Sequence, residues 1–316
     1  METLKPKIAI IGAGNVGSTF AFSLMISGLA REIVLVDKNE LLAKGECLDL
    51  NHGLSLTHPT KIYAAGFEGC EGADIVVITA GANRKPGQTR LNLAEENVAI
   101  FKDIIPAIAK YASSAILLVV TNPVDVLTYV TLKLSGFPAN RVIGSGTVLD
   151  TARLKYMISE YCKVDPNNVH AYIIGEHGDT ELPVWSNATI AGMDIEMYCS
   201  VYAGLSNAKN ELSEIFESVK NSAHSIIEAK GATNYSIALA LLKITRSILR
   251  SENSILPVSS LITDYYGVSD VCISIPSCVN NNGVEQYLKL ELSDREQEQF
   301  RHSADTLKKI IGSLNF

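Results

Sequence analysis

The sequence predicts an α/β protein, a doubly wound parallel sheet followed by a second, α+β unit. Three observations predict it. The first half alternates short runs that are apolar throughout with longer stretches of helical periodicity, the pattern of strands covered by helices on both faces. A glycine-rich turn, Gly12-Ala-Gly-Asn-Val-Gly17, follows the first of those runs. Past about residue 144 the texture changes to short β-like runs between long helical stretches. The expected boundary lies there, with 1–145 as the first domain and 146–316 as the second.

Element by element, residues 7–11 (Lys-Ile-Ala-Ile-Ile) read as a buried strand. Further strands are expected at 33–36, 61–64, 74–79, 115–120 and 141–143, with helices at 15–29, 39–51, 91–111 and 124–135 between them. The second half begins with a helix over 149–162, then short β-like runs around Tyr172 and Trp185, then helices over 204–230 and 235–250. Asn280-Asn-Asn-Gly283 signals a turn between two strands, and Ser293 caps a closing helix with Asp294 and Glu296 in its first turn. No repeat or low-complexity linker separates the halves, so they are expected to pack against each other.

Composition narrows the function classes. Apolar residues make up 47% of the 316, enough for a large interior. With 34 acidic against 27 basic residues the net charge is −7, and no block of five or six like charges occurs, which argues against a nucleic-acid partner. The six cysteines show no metal-ligand spacing and no disulfide framework, so no metal is expected and free thiols in a reducing cytoplasm are. No run of eighteen apolar residues or leader-like segment appears, and a protein without a membrane span is expected.

The glycine turn lies between a strand and a helix, the context that gives this spacing meaning. Gly12 permits the tight turn, Gly14 lets backbone approach a pyrophosphate, and Gly17 lets helix and strand pack closely. The helix start then offers unpaired N–H groups to phosphate. Asp37 ends the second strand, placed to accept bonds from ribose hydroxyls and to repel a 2′-phosphate, so NAD is the expected cofactor of a Rossmann-type domain. Val16, Gly81, Ala82, Asn122 and Ser145, beside these turns and strand ends, complete the expected cofactor contacts.

Gly175-Glu-His-Gly-Asp179 and Asp150-Thr-Ala-Arg153 supply an imidazole, a carboxylate and a guanidinium. Hydride chemistry on a 2-oxo or 2-hydroxy acid needs all three. His177 moves the proton, Asp150 orients and charges the ring, and Arg153 grips the substrate carboxylate. Asp150 and Arg153 share a helical face, which leaves open a simple ion pair between them. Asn83-Arg-Lys-Pro-Gly-Gln-Thr-Arg90 follows a strand and overhangs the crevice of such a sheet, so closing it would bring Arg90 to the substrate carbonyl. Asn122 is placed to hydrogen-bond the substrate oxygen.

At these residues the chain resembles the L-lactate/L-malate dehydrogenase family over essentially its whole length. The stretches that carry the resemblance are residues 12–17, the loop ending in Arg90, Thr121-Asn-Pro-Val-Asp125, Leu149-Asp-Thr-Ala-Arg153 and Gly175-Glu-His-Gly-Asp179. It implies that Asp150 and His177 form the proton relay, that Arg153 binds the substrate carboxylate and that Arg90 polarises the carbonyl. Residues 175–186 and Lys230-Gly-Ala-Thr233 are similar to the bacterial L-lactate branch, which implies pyruvate and L-lactate as substrates, glycolytic fermentation as the setting, and a homotetramer. Thr233 would narrow the pocket.

Arg84 departs from that branch. The family reads the far end of the substrate six residues before the loop arginine, with glutamine common in lactate enzymes and arginine in malate enzymes. Arg84 therefore keeps oxaloacetate and malate, or dual specificity, as the alternative. The resemblance also implies an anion site for fructose 1,6-bisphosphate, at whose positions stand Lys155 and His170; lysine keeps the charge but not the planar fork. A non-catalytic NAD-binding protein is the rival from another class, and it would be expected to lack part of the Asp150, Arg153, His177 and Arg90 set. A D-2-hydroxy-acid dehydrogenase would carry its glycine turn in mid-chain.

Overall fold

Strand β1 (Lys7–Ile11) is apolar on both sides because each side enters a different core. Ile8 and Ile10 face one cluster, Ala9 and Ile11 the other. This computed structural model describes residues 6–82, 89–204 and 207–316, apart from the side chain of Arg90. Helix α1 (Asn15–Ser27), β2 (Glu32–Val36), α2 (Glu40–His52) and β3 (Lys61–Ala64) follow in order. Next come β4 (Ile75–Ile78), α3 (Arg90–Tyr111), β5 (Ile116–Val119), α4 (Val124–Ser135) and β6 (Val142–Gly144). All six strands pair in parallel, in the order β3-β2-β1-β4-β5-β6. This is the doubly wound order, whose direction reverses beside β1 and opens a crevice at the strand C-termini there.

Helix α5 (Val148–Cys162) leaves β6 and runs into a small satellite layer. That layer holds β7 (Val169–His170), β8 (Ile173–Ile174), β9 (Leu182–Pro183), β10 (Thr189–Ile190) and β11 (Met193–Asp194). The helix expected over 204–230 is α7 (Ala208–Lys230), and a further short helix not expected from the sequence, α6 (Ile195–Tyr202), precedes it. Asp194 starts α6 by accepting the Met197 N–H, and Ile195 and Cys199 bury its inner face. Leu154, Ile158, Ile195, Leu212 and Phe216 join α5, α6 and α7 in a third core. The Sγ atoms of Cys162 and Cys199 meet there at 3.2 Å, a contact their spacing in sequence does not announce.

Helix α8 (Tyr235–Arg250) packs on α1. The chain then returns through β12 (Ser254–Ile262), β13 (Val271–Asn280) and β14 (Gly283–Tyr287) before α9 (Asp294–Ser313) closes it. A capping box of Ser293 and Glu296 starts α9, and Asn281 and Asn282 turn β13 into β14.

These last strands do not build a separate sheet. β12 pairs antiparallel with β6 through Ser259 and Gly144, so among the described residues one sheet of nine strands runs across residue 145. Both main cores cross it too: Val76 and Phe101 share a cluster with Ile273 and Phe300, and Ile8 and Phe20 share one with Leu241 and Val258. Among the described residues no helix is long and apolar enough to cross a membrane.

Candidate active site

The glycine turn is built for close packing on one side and openness on the other. A Cβ on Gly17 would lie 1.9 Å from the Gly12 carbonyl oxygen, and one on Gly12 would lie 2.7 Å from the Ala80 nitrogen. A Cβ on Gly14 would meet nothing within 4 Å. Gly14 is exposed at the start of α1, which no side chain caps. That open, N–H-lined ledge fits a dinucleotide pyrophosphate.

Asp37, at the end of β2, accepts the Ala13 N–H at 2.7 Å and the Asn39 N–H at 2.8 Å. Its carboxylate thus holds the turn in place and keeps lone pairs for a further donor, such as a ribose hydroxyl. Val16 is half-buried in α1. Ser145 is buried, its N–H donated to the Val119 carbonyl.

Asn97 escaped notice in the sequence. It sits on α3 with no exposed surface, accepts the Ala82 N–H at 2.7 Å and donates to the Asn122 carbonyl at 2.8 Å. One buried amide therefore ties together the segments that leave β4 and β5, where Gly81, Ala82 and Asn122 lie. An asparagine in an apolar helical stretch was the available signal.

Across the crevice, the first turn of α5 carries Asp150, whose side chain is 4% exposed. One carboxylate oxygen meets His177 Nδ1 at 2.6 Å, and the other takes a hydrogen bond from Arg153 at 2.9 Å. The ion pair left open by spacing is present, and the imidazole shares it. Burial opposes ionisation of Asp150, but His177 and Arg153 hold its carboxyl below the usual carboxylate range. Burial pulls the His177 ring down, whereas Asp150, with Glu181 and Asp125 behind it, pushes it up to about 9. Its side chain stays 26% exposed, so the imidazolium reaches the crevice.

The loop that carries His177 is held from three elements. Gly175 pairs with Ser274 of β13 through both backbone groups, at 2.9 and 3.1 Å. Ser303 of α9 accepts the Glu176 N–H at 2.8 Å. Asp125 of α4 accepts the His177 N–H at 2.7 Å. Asp125 is fully enclosed, and burial pushes it up to about 6 against the His177 N–H, while the Ser274 hydroxyl donates to its other oxygen at 3.4 Å. Asp125 and the buried Glu181 were quoted in the sequence motifs without a role.

Glu181, His177 and Asp150 bring donor atoms within 4.8 Å of one another. Arg153 already holds Asp150 there, and a cation would meet that fixed positive charge.

Thr233 is half-buried just before α8, and its neighbour Asn234 donates to Thr19 of α1 at 2.9 Å. Lys155 is half-buried, with its ammonium 6.0 Å from the Tyr172 ring, and burial draws its pKa down. His170 is exposed on β7 opposite Thr189. Arg84 lies outside the described residues. Arg90 opens α3 by its backbone, and its side chain lies outside them too.

A doubly wound sheet with an open glycine ledge, facing an imidazole charged by a buried carboxylate, defines an oxidoreductase that works with a dinucleotide. Residues 6–144 match the lactate/malate dehydrogenase NAD binding domain, and residues 147–315 match the lactate/malate dehydrogenase alpha/beta C-terminal domain. The chain belongs to the lactate/malate dehydrogenase family.

It is 55% identical over 311 residues to an L-lactate dehydrogenase of Acetivibrio thermocellus, covering 98% of this chain and 97% of that one. L-lactate dehydrogenase 1 of Clostridium acetobutylicum is 52% identical, with 98% of each covered. The fold superposes with a TM-score of 0.95 on the ligand-bound crystal structure of a minor L-lactate dehydrogenase from Enterococcus mundtii, at 38% identity and 99% coverage of both chains.

Proposed function

We propose that this protein is an NAD-dependent L-lactate dehydrogenase that interconverts pyruvate and L-lactate. The observation that carries the proposal is the single buried carboxylate of Asp150, shared by the His177 imidazole and the Arg153 guanidinium. It places a proton donor and a carboxylate receptor side by side, as a small 2-oxo acid requires. The names of the curated relatives support the same substrate.

NAD bound on the ledge of Gly12, Gly14 and Gly17, with Asp37 at its ribose, supplies the hydride acceptor or donor. In reduction, where the cofactor would supply the hydride to C2 of pyruvate, His177, protonated at neutral pH, gives its proton to the carbonyl oxygen. Asp150 stabilises the imidazolium and releases nothing itself. Arg153 aligns the carboxylate, Arg90 and Asn122 stabilise the oxygen as charge builds on it, and Thr233 limits the far end of the pocket. Residues 1–145 would hold the cofactor and, through Arg90 and Asn122, the reacting oxygen, while 146–316 would hold the substrate carboxylate and the proton relay.

The test is steady-state NADH oxidation by the pure protein with pyruvate and with oxaloacetate. Preference for pyruvate is expected, and no turnover of it would end the proposal. The identity of residue 84 favours a second reading. Arg84 facing the far end of the substrate would pair with a second carboxylate. Arg84→Gln should then lower kcat/KM for oxaloacetate relative to pyruvate by roughly 10–150-fold, the loss of one charge-assisted contact of about 1.5–3 kcal/mol. An unchanged ratio would return discrimination to Thr233.

Six buried free cysteines fit a cytoplasmic protein. Exposed Phe22, Ile26, Leu41 and Leu48 on α1 and α2 suit burial in a homotetramer, which light scattering would detect. The partly desolvated Lys155, with His170, would respond to fructose 1,6-bisphosphate as an activator, and loss of any response in Lys155→Gln would assign the site.

A further inference from the structure

Glu181 is a buried carboxyl group beside the relay that the chemistry above leaves unused. It is 7% exposed, and its carboxylate lies with His177 and Asp150 inside one 4.8 Å cluster. Burying a carboxylate beside another carboxylate is expensive and needs a positive partner.

We propose that Glu181 is a positioning residue of the proton relay, a second carboxyl group set beside the His177 imidazole that, as it ionises, keeps the proton on the ring. The proposal rests on the dehydrogenase reading only for its consequence in turnover. The placement is a matter of geometry. Glu181 lies four residues past His177 and immediately before β9, whose pairing with β8 fixes this segment, and its N–H donates to the Gly178 carbonyl at 3.3 Å.

Every charged group facing it bears on the effect. From α5, Asp150 repels Glu181 and Arg153 attracts it; from α7, Lys220 attracts it; within its own segment, the His177 imidazolium attracts it. Asp125 of α4 adds to the negative charge on the ring from the other side. Glu176, also in the loop, is tied to Thr180 by a short hydrogen bond and acts on Asp125. Burial above all, then Asp150, pushes Glu181 up to about 8. Near neutrality, therefore, Asp150 is ionised, His177 is charged and Glu181 keeps its proton. As pH rises Glu181 ionises first, and the new negative charge delays loss of the proton from the ring. The two groups titrate as a coupled pair.

The deciding measurement is the titration midpoint of the His177 ring, followed by NMR in the wild type, Glu181→Gln and Glu181→Asp. The glutamine variant is expected to lower the proton affinity of the ring threefold or more, and the aspartate variant to restore most of it. In pyruvate reduction the alkaline limb of kcat/KM should move to lower pH in the glutamine variant by the same factor. A structural role alone would lower activity evenly across pH and leave both midpoints in place. A ring midpoint unchanged in Glu181→Gln overturns the proposal, whatever the activity. A wild type that fails to turn over pyruvate would instead overturn the proposed function, and the ring titration would still decide the role of Glu181.

Discussion

At neutral pH the His177 ring is an imidazolium, because Asp150 outweighs the burial that would discharge it. Two opposite pH dependences follow. Reduction of pyruvate needs the charged ring, so its kcat/KM should fall as pH rises through about 9. Oxidation of lactate needs the neutral ring and should rise over the same interval. Steady-state profiles in both directions check this. Stability has the sign of a raised base: the His177 contribution is complete below the ordinary histidine value of about 6.5 and is lost as pH climbs through about 9. Asp150→Asn keeps the shape but removes the charge, and should cut turnover roughly 10²–10⁴-fold while NADH still binds. More than a tenth of wild-type turnover would remove Asp150 from the relay. At the other end of the crevice, Asp37→Ser removes the charge that repels a 2′-phosphate. It should narrow a wide preference for NADH over NADPH, and it should also loosen the turn, since Asp37 holds Ala13 and Asn39.

Helix α4 and the loop of His177 depend on each other through Asp125. Its folded value of about 6 lies above its ordinary one of 3.8, so the folded protein binds that proton more tightly and gains stability as pH falls between the two. Asp125→Asn keeps an acceptor for the His177 N–H without the buried charge. Denaturation at pH 8 and pH 5 should find it more stable than the wild type at pH 8, with the difference shrinking at pH 5 as the wild type takes up its proton. Asp125→Ala leaves that N–H unpaired and should lose about 1–3 kcal/mol at both. A further element-level test is Asn97→Leu, which unties the segments after β4 and β5 and should raise KM for NADH more than it lowers kcat. Of these relations the sequence showed only part. Strands apolar on both faces, the glycine turn and the His177 loop are local patterns, and they were legible. Asp125 and Asn97 act through partners 52 and 25 residues away, at His177 and Asn122, and Glu181, only four residues from His177, is joined there by Asp150 from 31 residues away; no local pattern encodes those distant contacts. Helix α6 was not expected because it is only eight residues long, and its two buried positions, Ile195 and Cys199, are too few to set a period.

For the whole molecule, the decisive feature is one sheet that passes from the first half into the second. Both main cores beneath the candidate site contain residues of both halves. Unfolding of the full chain should therefore show one transition, with the same midpoint by far-UV circular dichroism and by Trp185 fluorescence. A fragment ending at residue 145 would expose the free edge of β6 and the apolar surface that meets β12, β13 and α8. It should self-associate or melt without cooperativity; a monomeric fragment with a sharp transition would show that the halves fold independently. The same seam has a meaning in time. Strand β6 is complete more than a hundred residues before β12 begins. At translation rates of about 5–20 residues per second, the nascent chain carries that open edge for roughly 5–20 s. A three-residue strand is a poor template for a stranger's backbone, and its shortness guards the growing chain during the wait.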